Sequence, residues 1–349
     1  MALKRELNYM NAIACLLVIL IHVLSLGISL ADSSSWQAAI IYFPWRLSAF
    51  VVPMFIYNGA VKMALKFIDT EVTINTYLQY FLHRIQKIYI PYVIWVIIYY
   101  ICFKTIGYVH GDPQEFLSYL LIGNLSSPFY YIIIIMQFYF LMPLWIWILK
   151  HIPAYLSIGI SLLITFFMQQ FPYILSIFGI NFPYSDRICL TYIIFWIIGL
   201  YVGKNYGHVA STLSGNSKQS ICVVVILICS ILAYIQYSKC SLGLNMNDIK
   251  MVSDFLSIML IHSICLKLTH APRIIQKFTQ NIYKSSFFVY LSHCLFLTLG
   301  TAFLQHIGVN TLSWLLIARF FICYSFPFIS YLIYNKICTH LNLHNRFLG

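Results

Sequence analysis

The sequence predicts an all-α, polytopic helical membrane protein with about 10 transmembrane helices and both termini in the cytoplasm. Three observations carry that prediction. Hydrophobic types make up 61% of the 349 residues, about 213 of them. At ~20 apolar residues per helix, that is enough for about ten spans. Charged residues make up only 9%, against roughly 25% in soluble domains, and mean hydropathy is +0.83. The apolar residues also come in unbroken runs, such as Ile132 to Ile135 and Val223 to Ile228. A membrane β-barrel would alternate polar and apolar residues. A soluble enzyme, a disordered chain and a disulfide-rich secreted module are excluded.

The spans follow in order at 8–30, 38–62, 86–107, 129–149, 153–171, 187–204, 219–238, 250–268, 286–306 and 312–335. The first is too long for a signal peptide, contains His22 and lacks a small-residue cleavage site, so it reads as a retained helix. Residues 69–86 carry Tyr77, Phe81 and Ile85 at four-residue spacing, the pattern of an interfacial amphipathic helix. Residues 108–128 form the longest outer loop, and 172–186 is rich in aromatics and proline. No repeat or Gly/Ser-rich linker divides the chain, and the tail after 336 is too short to fold alone. Residues 1–349 therefore read as a single membrane domain.

The chain has 21 basic and 9 acidic residues, a net charge of +12. No Lys/Arg-rich stripe points to nucleic acid. Topogenic charge explains the excess better. With the N-terminus inside, Lys4, Arg5, Lys62, Lys66, Arg84, Lys87, Lys150, Lys204, Lys218, Lys267, Arg273, Lys277, Lys284, Lys336 and Arg346 fall on the inner side. Only Lys104, Arg187, Lys239 and Lys250 fall outside, and Arg46 and Arg319 lie within spans. The ten cysteines are scattered without a CxxC pair, which gives no zinc or redox motif. There is no nucleotide-binding glycine loop, no HExxH and no GxSxG. No metal and no bound cofactor are expected.

Ionisable side chains inside spans are costly and mark candidate sites. His22 lies about 20 Å along the first helix, past its middle, and Asn11 and Cys15 share its face. Arg46 cannot lose its proton, so it suits an anionic ligand or an oxyanion. Its alternative is a structural salt bridge to Asp254. Pro53 is expected to free a carbonyl and kink the second span, and Asn58-Gly59 is a polar, flexible pair at its inner end. His293 lies in the ninth span with Tyr290 and Ser286 on its face; interhelical hydrogen bonding is the alternative to function for both histidines. For Arg319 the alternative is a counter-ion or a cardiolipin-like lipid. Asp254 and His262, eight residues apart on one face, form either a proton relay or a packed polar seam.

Taken together, these pieces resemble the type-3 acyltransferase family, integral-membrane enzymes that acylate sugar hydroxyls. The likeness runs the length of the chain. The family's first helix carries an arginine, ten residues and a histidine; here NAIACLLVILIH places Asn11 and His22 there. Arg46, Pro53 and Asn58-Gly59 match its second helix, HRIQKIYIPY with Arg84 and Pro91 its third, and FYYIIIIMQFYFL from Phe129 its fourth. FWIIGLYVG carries Gly199 and Gly203, and Ser286, Tyr290 and His293 meet the near-terminal S-[YF]-x-x-Y-L-x-H pattern. Length, span count and the stretches around Tyr9, Gln137 and Ser286 are most similar to the intercellular-adhesion protein C branch, found with poly-N-acetylglucosamine biofilm synthesis.

The resemblance implies transfer of an acetyl or succinyl group from cytoplasmic acyl-CoA to hydroxyls of a cell-surface or lipid-linked polysaccharide, in a bacterial plasma membrane. It implies His22 as general base and Arg46 as stabiliser of the oxyanion or holder of a succinyl carboxylate. Asn11, Asn58, Tyr290, His293 and Arg319 would line the substrate path. Arg5, Arg84 and Lys87 would bind the donor. The first-helix arginine is expected to help bind the donor, and Asn11 brings no charge there. Membrane lipids, the glycan acceptor and a membrane glycan synthase are the implied partners. Export of the growing polymer, or an accessory role in its synthase, are the competing readings.

Overall fold

The computed structural model describes residues 4–110, 112–215, 219–238, 245–341 and 348. Lys218, Lys239, Cys240 and Arg346 lie outside the described residues. Within them all regular structure is helical: α1 (Arg5–Leu30), α2 (Trp36–Leu47), α3 (Val51–Phe67), α4 (Ile74–Arg84), α5 (Ile90–Thr105), α6 (Pro113–Ile122), α7 (Tyr130–Phe140), α8 (Met142–His151), α9 (Ala154–Ile177), α10 (Ile193–Lys204), α11 (Tyr206–Ser214), α12 (Gln219–Tyr237), α13 (Met246–Leu268), α14 (Arg273–His306) and α15 (Leu312–His340). Large apolar side chains stay uncovered along these helices, including Leu163, Phe167, Phe321 and Leu332. Exposure on that scale suits lipid and not water.

Eight of the ten expected spans are helices long and apolar enough to cross a membrane. The other two differ for local reasons. The stretch 129–149 is not one helix, because α7 stops at Phe140 and α8 begins at Met142. Pro143, in the first turn of α8, has no N–H to bond back across Leu141, which favours a break there. Residues Ser127–Phe140 instead pair with α6 across a 52° bend, which takes the count of candidate spans to nine. The stretch 187–204 holds an apolar helix, Cys189–Lys204, too short to count as a span.

Two further expectations are refined. Residues 69–86 do start a helix, with the Thr73 side chain accepting from the Thr76 N–H and Tyr77 stacked on Phe81 at 6.0 Å. That helix continues through a π-helical turn, Ile85–Tyr89, into α5, forming one run of 32 residues. At 1.5 Å per residue this is about 48 Å, well beyond a hydrocarbon core of ~30 Å. The amphipathic segment is therefore the end of a long helix and not a separate element. Pro53 also acts differently from expectation. The chain turns at 48–50, and Pro53 is the third residue of α3. A first-turn proline gives up no intrahelical bond.

The helices form two compact units by contact, Met1–Phe55 with Gly207–Lys336, and Ile56–Tyr206 with Ile337–Gly349. In the first, α1 packs along α14, α13 and α2. Cys15, Ile19 and Val23 of α1 interlock with Val289 and Leu297 of α14 and Cys323 of α15. In the second, α10 lies close against α3. A Cβ on Gly199 would sit 2.5 Å from the Tyr57 carbonyl oxygen, and one on Gly203 2.6 Å from Ala64 Cβ. Small residues four apart allow this approach of two membrane helices. Trp196 of α10 then stacks on Phe138 of α7 at 4.3 Å.

Candidate functional site

The chemistry of the first unit gathers where α1, α14 and α15 meet. His22 and His293 face each other with ring centroids 5.2 Å apart. His293 is fully buried, and His22 is half-buried. The His293 Nδ1 lies 3.0 Å from the Val289 carbonyl oxygen. A carbonyl can only accept, so Nδ1 carries the proton and Nε2 the lone pair. Nε2 is buried and has no hydrogen-bond partner among the described residues. Cys294 brings its sulfur to the same place: the ligand atoms of His22, His293 and Cys294 lie within 4.8 Å of one another. These three could hold a soft cation, a possibility that the sequence spacing did not announce. Tyr290, one turn before His293, has its ring 6.1 Å from that histidine and 5.9 Å from Phe55.

Arg319 secures the backbone under this pair. Its Nε donates to the Val23 carbonyl at 3.2 Å, one terminal nitrogen to the His22 carbonyl at 2.9 Å, and the other to Thr301 Oγ1 at 2.8 Å. The Tyr324 hydroxyl donates to the Leu16 carbonyl at 2.7 Å, and the Cys323 thiol to the His293 carbonyl at 3.5 Å. Arg319 thus spends its donors on α1 and α14, so the geometry favours an interhelical strap over a lipid counter-charge.

Arg46 sits elsewhere in the unit. Its guanidinium is buried and makes one long hydrogen bond, 3.4 Å to Ser253 Oγ. The salt bridge to Asp254 that the sequence allowed does not form. Asp254 pairs with Lys250, one turn earlier on the same helix, where the partner needs no second element to position it. His262 is fully buried and lies within electrostatic reach of the buried Glu6 of α1. Arg5 is exposed and reaches Gln276 Oε1 at 3.5 Å. Asn11 is half-buried, on the His22 face three turns earlier.

In the second unit, Arg84 lies over the rings of Tyr80 and Tyr139 at 4.9 Å each. Its Nε is buried without a hydrogen-bond partner among the described residues. Lys66 is over Phe67 at 4.9 Å and Tyr80 at 5.5 Å. Lys62 and Lys87 add charge to the same cluster. The sequence singled out Arg84 and Lys87 but missed Lys62 and Lys66, which read as topogenic lysines. Asn58 is buried in α3. A groove of about 370 Å³ in this unit is lined by Tyr89, Gln137, Cys189 and apolar side chains, and none of the expected site residues borders it.

The comparison with sequence families decides what these helices belong to. The family described as an acyltransferase domain, the type-3 acyltransferases, matches residues 4–334. The chain belongs to the type-3 acyltransferase family. A relative from Staphylococcus aureus strain Mu50, named probable poly-beta-1,6-N-acetyl-D-glucosamine export protein, is 25% identical over 334 residues, 92% of this chain and 90% of the relative. A Staphylococcus epidermidis protein of the same name is 26% identical over 328 residues, 90% and 87% of the two chains. No solved structure matches.

For this type-3 acyltransferase the geometry brings two separated motif pieces together. Cys15 and His22 of the first helix face Ser286 and His293 of α14, with the Cys15 thiol 3.6 Å from the Ser286 carbonyl. Cys294, Thr301 and Cys323 complete the surroundings and were not foreseen. A thiol or threonine in an apolar run looks like ordinary core, and only the fold brings it beside His22 on the first helix.

Proposed function

We propose that this acyltransferase moves an acetyl or succinyl group from cytoplasmic acyl-CoA to hydroxyls of a cell-surface or lipid-linked polysaccharide such as poly-N-acetylglucosamine. The apposition of His22 and His293 on buried helices carries this reading. Two neutral imidazoles away from bulk water form a basic centre able to take a hydroxyl proton. Arg46, away from the histidine pair, retains donors for an acyl carboxylate or another anionic group of a bound ligand. Tyr290, one turn from His293, would orient the acceptor. Arg84 and Lys87, with Lys62 and Lys66, would hold the phosphates of the donor. The protein works in the bacterial plasma membrane with both termini cytoplasmic, among lipids and beside a glycan synthase.

The relatives' names favour a second reading, export of the polymer. Surface polysaccharide from cells with the wild-type chain, a deletion and His22→Ala at matched expression separates the two. An ester present only with the wild type, at constant polymer amount, supports transfer. Polymer without any ester that shifts from the surface to the cell interior in the mutants overturns it in favour of export.

A further inference from the structure

Within the acyltransferase reading, on which this step rests, the two histidines are not equivalent. We infer that the acceptor hydroxyl is held between the two rings, with His293 Nε2 taking its proton and a His22 ring nitrogen holding its oxygen. The difference lies in what each ring already does. His293 is committed: Nδ1–H is bonded to the Val289 carbonyl at 3.0 Å, which leaves Nε2 as a lone pair. That lone pair is buried and has no partner among the described residues. A buried acceptor without a partner is costly, so it is where an incoming O–H gains most. His22 is half-buried and its ring makes no hydrogen bond within the described structure that fixes its tautomer; only its backbone carbonyl is tied, by Arg319 and Ser25.

The spacing suits one oxygen between them. Two N···O contacts of ~2.8 Å meeting at a tetrahedral oxygen place their nitrogens about 4.6 Å apart. The ligand atoms of His22 and His293 lie within 4.8 Å. No hydrogen bond joins the two rings directly, since His293 Nε2 has no partner among the described residues. In the reaction, the hydroxyl O–H bond breaks as the oxygen bonds to the acyl carbon, and the proton goes to His293 Nε2. The C–S bond of the thioester then breaks, and the imidazolium returns its proton to the departing sulfur, giving the free thiol and neutral His293. The Val289 carbonyl holds the ring through both steps. His22, in this assignment, positions the nucleophile.

The test uses the purified full chain in lipid nanodiscs with acetyl-CoA or succinyl-CoA and a β-1,6-linked N-acetylglucosamine oligomer. Glutamine at 293 keeps an acceptor near the Nε2 position but is no base. His293→Gln is expected to lower kcat by roughly 100-fold or more, the usual contribution of a general base, with acceptor KM little changed. His22→Gln keeps an N–H donor and is expected to raise acceptor KM with a kcat loss of about 10-fold or less. The reverse order, or equal losses, overturns the assignment. Nitrogen-15 histidine NMR of the wild type reports the tautomer without turnover, and an Nε2–H form of His293 overturns it even where the glutamine variants fold poorly. One equivalent of bound zinc or copper that is lost in Cys294→Ser also overturns it, in favour of a metal centre. Wild-type protein that transfers neither acyl group removes the acyltransferase reading itself, and the assignment with it.

Discussion

Replacing Arg319 separates a strap from a ligand-binding cation. Its three hydrogen bonds reach two carbonyls of α1 and one hydroxyl of α14, from a side chain only 6% exposed. Hydrogen bonds between membrane helices average about 0.6 kcal/mol and reach ~1.7, so three give about 2–5 kcal/mol. Methionine keeps the apolar stem and removes a costly buried charge, which offsets part of the loss. Arg319→Met is therefore expected to lower stability by about 2–3 kcal/mol in reversible unfolding from mixed micelles. Arg319→Lys should fall between, because a point charge cannot reproduce the guanidinium fork. Thr301→Val removes one bond and should cost about 0.6–1.7 kcal/mol. A double-mutant cycle between positions 301 and 319 then returns a coupling of that size. Arg319→Met within ~0.5 kcal/mol of wild type, with activity lost, would refute the strap and return Arg319 to ligand binding.

Three other outcomes are expected. Gly199→Ala places a methyl 2.5 Å from the Tyr57 carbonyl, so it should lower the detergent melting point through an overpacking cost of about 1–3 kcal/mol; an unchanged melting point would mean the α3–α10 contact is looser than described. Arg84→Gln should weaken acyl-CoA binding in titration calorimetry and reduce its salt dependence, and unchanged affinity removes Arg84 from the donor site. Ser34→Cys should react with an impermeant maleimide on intact cells and Thr73→Cys only after lysis, above the background of the native cysteines. The opposite pattern inverts the proposed orientation.

The spans were legible because lipid leaves only one solution for a long apolar run, and the helices at 5–30, 246–268 and 312–340 follow it. The breaks were less legible. Pro143 sits in an apolar run that reads as one span, and prolines inside α2, α9 and α15 leave those helices unbroken, so a proline alone does not announce a break. The amphipathic pattern of Tyr77, Phe81 and Ile85 was visible, but its continuity with α5 was not, since a π-helical turn has no composition of its own. At the site, His22 and His293 stood out because ionisable groups are rare in spans. Their partners did not. Cys294, Thr301 and Cys323 are ordinary residues for an apolar run, and the pairing of Lys250 with Asp254 competed with an equally reasonable bridge to Arg46.

Arg319 and Arg46, which are buried, and Arg84, which is half-buried, differ in how their donors are met. Arginine stays protonated at any accessible pH, so each of its donors must meet an acceptor or a bound anion. Arg319 uses all three nitrogens on protein acceptors, which leaves little for a ligand. Arg84 satisfies its flat faces with two tyrosine rings and keeps Nε unbonded, the state of a cation partly compensated by π-density and still able to take a phosphate. Arg46 has a single 3.4 Å bond to a serine hydroxyl, while the nearby Asp254 is committed to Lys250. A guanidinium so buried and so weakly bonded is the costliest of the three in the absence of an anion, and gains most from one. Anion binding in the first unit should therefore fail with Arg46→Gln and persist with Arg319→Lys. That ordering follows from the donor accounting alone, and an anion site that survives Arg46→Gln would refute it.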